Sequence, residues 1–142
     1  MKTRTLISLL MMSMLVLTTA CISGFVAKNQ VAVLEAEKFD NDLQAVAKEN
    51  FSDPERQKIF SDFIKMNTRI DVQSMDIKDK DATAELVIQT VPKNIYAEMK
   101  TTPSKDWKTK FGASQENRFY SLRLHKEGDS WQILEEKENP KK

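Results

Sequence analysis

The apolar positions change their spacing several times along the chain. Leu6–Leu17 is an almost unbroken apolar run, LISLLMMSMLVL, with Lys2 and Arg4 before it and Thr18-Thr19-Ala20-Cys21 after it. A basic start, about a dozen apolar residues and a small-residue exit predict an export signal. Over Lys28–Asn50 the apolar residues Ala32, Ala36, Phe39, Leu43 and Val46 recur three and four apart. That spacing predicts a helix with one apolar face. Glu35, Lys38, Asp42 and Glu49 are assigned to its polar face. Phe51–Glu55 punctuates the chain. Ser52 with Glu55 fits a capping box, and Asp53 before Pro54 fits an alternative cap with proline at the first helical position. A second helix then reaches about Asn67, with Ile59, Phe60, Phe63 and Ile64 as its buried stripe.

After Asn67 the period shortens to two. Ile70 and Val72 share one parity and Met75 and Ile77 the other, so a β-bulge is expected near Gln73-Ser74. Lys78-Asp79-Lys80-Asp81 is a polar turn. Ala84, Leu86 and Ile88 alternate within a strand over Ala82–Val91, which Pro92 ends. Lys93–Asn117 is the least regular stretch. Ile95, Ala97 and Met99 alternate as a strand would, whereas Trp107 and Phe111 are four apart and suit a helical turn or a strand. Tyr120, Leu122 and Leu124 alternate over Arg118–His125. A glycine-containing loop, Lys126–Ser130, leads to a last strand with Trp131 and Ile133 on one face. Helices first and hairpins afterwards predict an α+β domain: two helices packed on a bent antiparallel sheet of about four strands.

Composition narrows the function more than the fold. The 142 residues carry 22 basic and 21 acidic side chains. Without Lys2 and Arg4 the balance is 20 against 21, so no basic excess recommends nucleic acid. Three glycines argue against a phosphate loop, and one cysteine forbids an internal disulfide. His125 is the only histidine, so no His-based metal cluster exists; it is read as a surface residue at a strand end. Asp76, Asp79, Asp81 and Glu85 bracket the first hairpin turn without the glycine and ligand spacing of a calcium loop, and Lys78 and Lys80 interleave them. They are read as a solvated turn. Neither an enzyme nor a cofactor is expected.

Two resemblances add to this reading. Leu17-Thr18-Thr19-Ala20-Cys21 resembles the lipobox of bacterial lipoproteins: Ala20 supplies the small side chain before the cysteine, while Thr18 stands where that family usually has leucine. The resemblance implies residues 1–20 as signal peptide and Cys21 as the lipidated first residue of the mature chain. Diacylglycerol would sit on its sulfur and a palmitate-type acyl chain on its amine. Several chains at about 0.8 kcal/mol per buried CH₂ anchor a protein almost permanently. Ile22 after Cys21 resembles the outer-membrane default of Gram-negative lipoproteins, facing the periplasm. Two alternatives stay open: Leu6–Ala27 kept as one membrane-spanning helix, which needs about 20 residues, or a signal removed by an ordinary peptidase. All three place the domain outside the cytoplasm, in or beyond the cell envelope.

The order helix, helix, bulged hairpin and a last hairpin ending in Gly128-Asp129-Ser130-Trp131-Gln132-Ile133 resembles the NTF2-like (cystatin-like) superfamily, over Val31–Lys137. The resemblance implies an anchor or linker at 21–30, an NTF2-like domain at 31–138 and a polar tail at 139–142. It also implies a cone whose open end holds an apolar ligand or a partner peptide, with Tyr96, Trp107 and Phe111 as candidate ligand-binding residues unless they only close the core. The expected function is that of a non-enzymatic binding lipoprotein. Its partners would be membrane lipid through Cys21 and a protein or envelope component, with a homodimer left open. The alternatives are an assembly factor on an uncleaved helix, similar to periplasmic domains of type IV secretion proteins, and an apolar-ligand carrier.

Overall fold

A computed structural model describes the backbone of residues 2–140 and the side chains of residues 23–140. The expected lipidation site Cys21 and the apolar run Leu6–Leu17 lie outside the described side chains. Among the described residues no helix is long and apolar enough to cross a membrane.

The helix expected at Lys28–Asn50 is the C-terminal half of a longer one, α1, Lys2–Asn50. Its buried face differs from the expected stripe. Ala27, Val31, Glu35, Leu43 and Ala47 are buried and Phe39 is half-buried, while Ala36 is exposed. Those six positions step by four, and each step runs about 40° past a full turn of 3.6 residues. The inward face therefore drifts round the helix as α1 passes from the twisted sheet to its neighbouring helices. This drift carries Glu35, assigned to the polar face, inside.

Helix α2, Pro54–Met66, starts at the Asp53 cap, with Pro54 in its first turn. The Asp53 carboxylate accepts from the backbone N–H of Arg56 at 3.1 Å and of Glu55 at 3.4 Å. Phe60, Phe63 and Ile64 are buried as expected, but Ile59 is 38% exposed. The last turn is closed by Asn67 Nδ2 and Thr68 Oγ1, which donate to the carbonyls of Phe63 and Ile64 at 2.8 and 2.7 Å.

Four antiparallel strands follow, in the order β1-β2-β3-β4: Arg69–Lys78, Asp81–Thr90, Glu116–Glu127 and Ser130–Asn139. The expected bulge is present. Val72 pairs with Leu86 and Ser74 with Glu85, leaving Gln73 over. A second bulge, which the sequence did not announce, leaves Leu134 over in β4. Both hairpins turn through two residues, and the turns hold Asp79 (φ 58°) and Gly128 (φ 62°) in the left-handed region.

The strand expected at Ile95–Met99 is helical instead. A 3₁₀ turn, Lys93–Ile95, runs into α3, Tyr96–Thr101; a second turn, Ser104–Asp106, runs into α4, Trp107–Phe111. Tyr96 and Met99, three apart, are the buried pair, and Ala97 faces water. Pro92 and Pro103 each precede a turn, where a fixed φ and a missing N–H suit a helix start better than a strand. Arg56 of α2 fastens this segment. Its Nη2 donates to the carbonyls of Met99, Lys100 and Thr102 at 3.1, 2.8 and 3.0 Å, and its guanidinium lies 5.1 Å from the Phe51 ring centre. Trp107 Nε1 donates to the Thr102 carbonyl at 3.0 Å.

Two cores result. Under the sheet, Val31, Val72, Ala84, Leu86, Leu122, Leu124 and Trp131 form an aliphatic core. Beyond the sheet, Leu43, Phe51, Phe60, Phe63, Tyr96, Met99, Trp107 and Phe111 form an aromatic one. Phe39 packs against both.

Candidate functional site

The drift of the α1 face leaves a cleft beside Phe39, of about 120 Å³. Its apolar wall is Phe39, Leu43 and Val46 of α1 with Ile88 of β2. Its polar wall is Glu35, Lys38 and Asp42 of α1, Lys93 and Tyr96, Arg118 and Tyr120 of β3, and Glu136 of β4. A small volume with one greasy side and convergent polar groups has the make-up of a ligand site.

Four of these eight polar residues already have partners. Lys38 and Glu136 form an ion pair that ties α1 to β4. Arg118 donates through Nε to Glu116 Oε1 at 2.7 Å and is hydrogen-bonded to Tyr120. Glu35 differs: the residue is 2% exposed, and its Oε1 is buried without a hydrogen-bond partner.

Burial sets the protonation of the group. It raises the Glu35 carboxyl above its ordinary 4.5; Lys38 opposes the rise and Asp42 adds to it. Burial likewise raises both phenols. For Tyr96, Arg118 lowers and Glu116 raises; for Tyr120, Glu138 adds to the rise and Arg118 opposes it. Both tyrosines therefore keep their O–H at neutral pH. For Arg118 burial works downward, but its hydrogen bonds to Glu116 and Tyr120 and the charge of Glu116 outweigh it, and the guanidinium is held more firmly charged.

Such a cleft can bind and orient. No Ser, Cys or His is among its lining residues, so a Ser–His or Cys–His pair is not among its groups. Among the described residues no three His, Cys, Asp or Glu side chains are grouped to hold a metal ion. His125 lies on the surface, its Nδ1 2.8 Å from Asp81 Oδ1.

Of the expected ligand residues, Tyr96 lines the cleft. Trp107 and Phe111, 1% and 3% exposed, lie in the aromatic core. Glu35, Arg118 and Tyr120 were not among the sequence-derived candidates. Arg118 carried a readable signal, since it shares the parity of Tyr120, Leu122 and Leu124 and so continues an inward row. Glu35 carried one too, four residues from both Val31 and Phe39. No protein-family model matches this chain, and no curated protein or solved structure matches it either.

Proposed function

We propose that this chain is an envelope lipoprotein whose α+β domain, of NTF2-like (cystatin-like) type, is a non-enzymatic binding module using the cleft between α1 and the β3–β4 side of the sheet. One observation carries the binding reading: Glu35 Oε1 is a buried acceptor with no partner on the wall of that cleft. An unsatisfied buried group costs about 1–3 kcal/mol, and a ligand that donates a hydrogen bond removes that cost. The envelope reading is supported by Lys2, Arg4, the apolar run Leu6–Leu17 and Ala20-Cys21. On this reading acyl chains on Cys21 hold the domain at an outer-membrane or other envelope surface.

Feeding cells a radiolabelled fatty acid tests the anchor. Label on a shortened protein in the membrane fraction, lost in Cys21→Ser, is expected. Unlabelled, shortened, soluble protein would overturn the lipid anchor. A second reading, an assembly factor on an uncleaved helix, draws on the continuity of α1 from Lys2 to Asn50. It predicts unlabelled protein of full-length size in the membrane.

A further inference from the structure

We propose that the cleft binds a small organic ammonium ion, whose N–H donors satisfy the orphaned oxygen of Glu35. The proposal rests on the binding-module reading above and names the ligand class for the same site. Three observations set that class.

The first is the sign of the vacancy. Arg118 is held by Glu116 and Tyr120, and Lys38 by Glu136. The buried group left over is an acceptor, which calls for a donor. A carboxylate or phosphate ligand would meet cations already engaged and a carboxylate that repels it.

The second is the charge that remains. With Lys38 set against Glu136 and Arg118 against Glu116, the cleft retains Glu35 and Asp42 facing Lys93. Lys93 and Asp42 are both exposed at the rim, so water screens them, whereas Glu35 is buried. The interior thus favours a positive guest.

The third is size and wall chemistry. A volume of about 120 Å³ is roughly that of four waters in the liquid. It suits an ammonium group carrying a short chain of a few carbons. The chain would lie against Leu43, Val46 and Ile88. Phe39, Tyr96 and Tyr120 line the same space, and an aromatic ring attracts a cation placed over its face within about 6 Å. Glu35 Oε1 is shielded as it stands, but the last torsion of a glutamate is broad. Binding requires a turn about that bond to present Oε1 to the cleft, a movement the Glu35 carboxyl resonance reports.

The test uses the full-length chain in lipid nanodiscs and three probes of matched size: propylammonium, propionate and 1-propanol. Isothermal titration and the ¹³C resonance of the Glu35 carboxyl are read together. Propylammonium is expected to saturate, to shift that resonance, and to bind at least tenfold more tightly than the other two. Glu35→Gln should weaken it tenfold or more, Asp76→Asn on the far hairpin should leave it unchanged, and Val46→Phe, which fills the cleft, should abolish it. The wild-type carboxyl shift keeps the test decisive if a variant fails to fold. Saturable binding of propionate or propanol in preference would overturn the ammonium assignment and leave the binding module standing. Silence from all three at 100 mM, with the carboxyl resonance unmoved, would overturn both.

Discussion

The aliphatic and aromatic cores are built from different kinds of information. Under the sheet, every second residue of β2 points inward: Ala82, Ala84, Leu86, Ile88 and Thr90 are all buried. The register of the neighbours follows from that row, because a slip of one residue would turn it to water. Beyond the sheet, Phe51, Phe60, Phe63, Tyr96 and Trp107 meet from four separate segments, with ring centres 5.1 to 6.3 Å apart. Edge-on and tilted ring contacts of this kind contribute about 0.5–1.5 kcal/mol beyond burial, and no sequence period announces them. A periodic core is written locally; a convergent one exists only once the chain has folded. The cleft lies between the two, where neither rule governs the α1 face.

Each core holds one of the two tryptophans, Trp107 in the aromatic core and Trp131 in the aliphatic one. Fluorescence can therefore follow them separately. Trp107→Ala should cost about 3–5 kcal/mol, and urea unfolding watched through Trp131 should show the whole loss, because α1 runs through both cores. An unmoved Trp131 transition would split the molecule into two folding units. Leu86→Ala in a Trp131→Phe background, watched through Trp107, is the reciprocal experiment, with about 3 kcal/mol expected. Arg56→Ala removes three charge-assisted hydrogen bonds to the end of α3, so a loss of about 2 kcal/mol is expected. Amide exchange should then rise in α3 before it rises in β2. Asp53→Ala removes the α2 cap and should cost about 1 kcal/mol, read as a lower urea midpoint at an unchanged slope.

Glu35 gives the only effect of opposite sign. Its carboxyl is raised above 4.5 by burial, so the folded state holds the proton more tightly than the unfolded chain. Stability attributable to this group falls as pH rises from about 4.5 through the folded-state value. Glu35→Gln should therefore be the more stable protein at pH 7. Below pH 4.5 that advantage should vanish. A melting-temperature profile from pH 4 to 8 that runs parallel for the two proteins would show that Glu35 titrates as an ordinary surface carboxylate.

Much of the architecture was legible in the sequence because alternation and capping are local. The Gln73 bulge could be read from the switch of parity between Val72 and Met75, and the start of α2 from Asp53-Pro54. The α1 face was read in part: Leu43 is buried and Ala32, Phe39 and Val46 pack against the cores, but a straight stripe through Ala36 ignores the sheet's twist. Of the stretch after Pro92, the helical turn offered for Trp107 and Phe111 is present as α4, but Ile95–Met99 was misread because Ile95, Ala97 and Met99 satisfy a strand pattern on paper. Helix and strand differ there by which neighbour buries Tyr96 and Met99, and that neighbour is α2, thirty residues and more away. The site was missed for a related reason: a glutamate is assigned to water by type, and only the drift of the helix places Glu35 inside.

Each margin of the sheet is broken. β1 has its surplus residue at Gln73, whose carbonyl accepts from Lys28 Nζ at 3.1 Å. β4 has its surplus residue at Leu134, followed by Glu135, Glu136, Lys137 and Glu138. A straight outer strand is a template on which another chain can crystallise hydrogen bond by hydrogen bond. Here both templates are bent, one is roofed by a lysine and the other is studded with charge. Crowded side by side, these molecules would resist growth into fibres, because neither rim of one sheet can serve as the first row of the next.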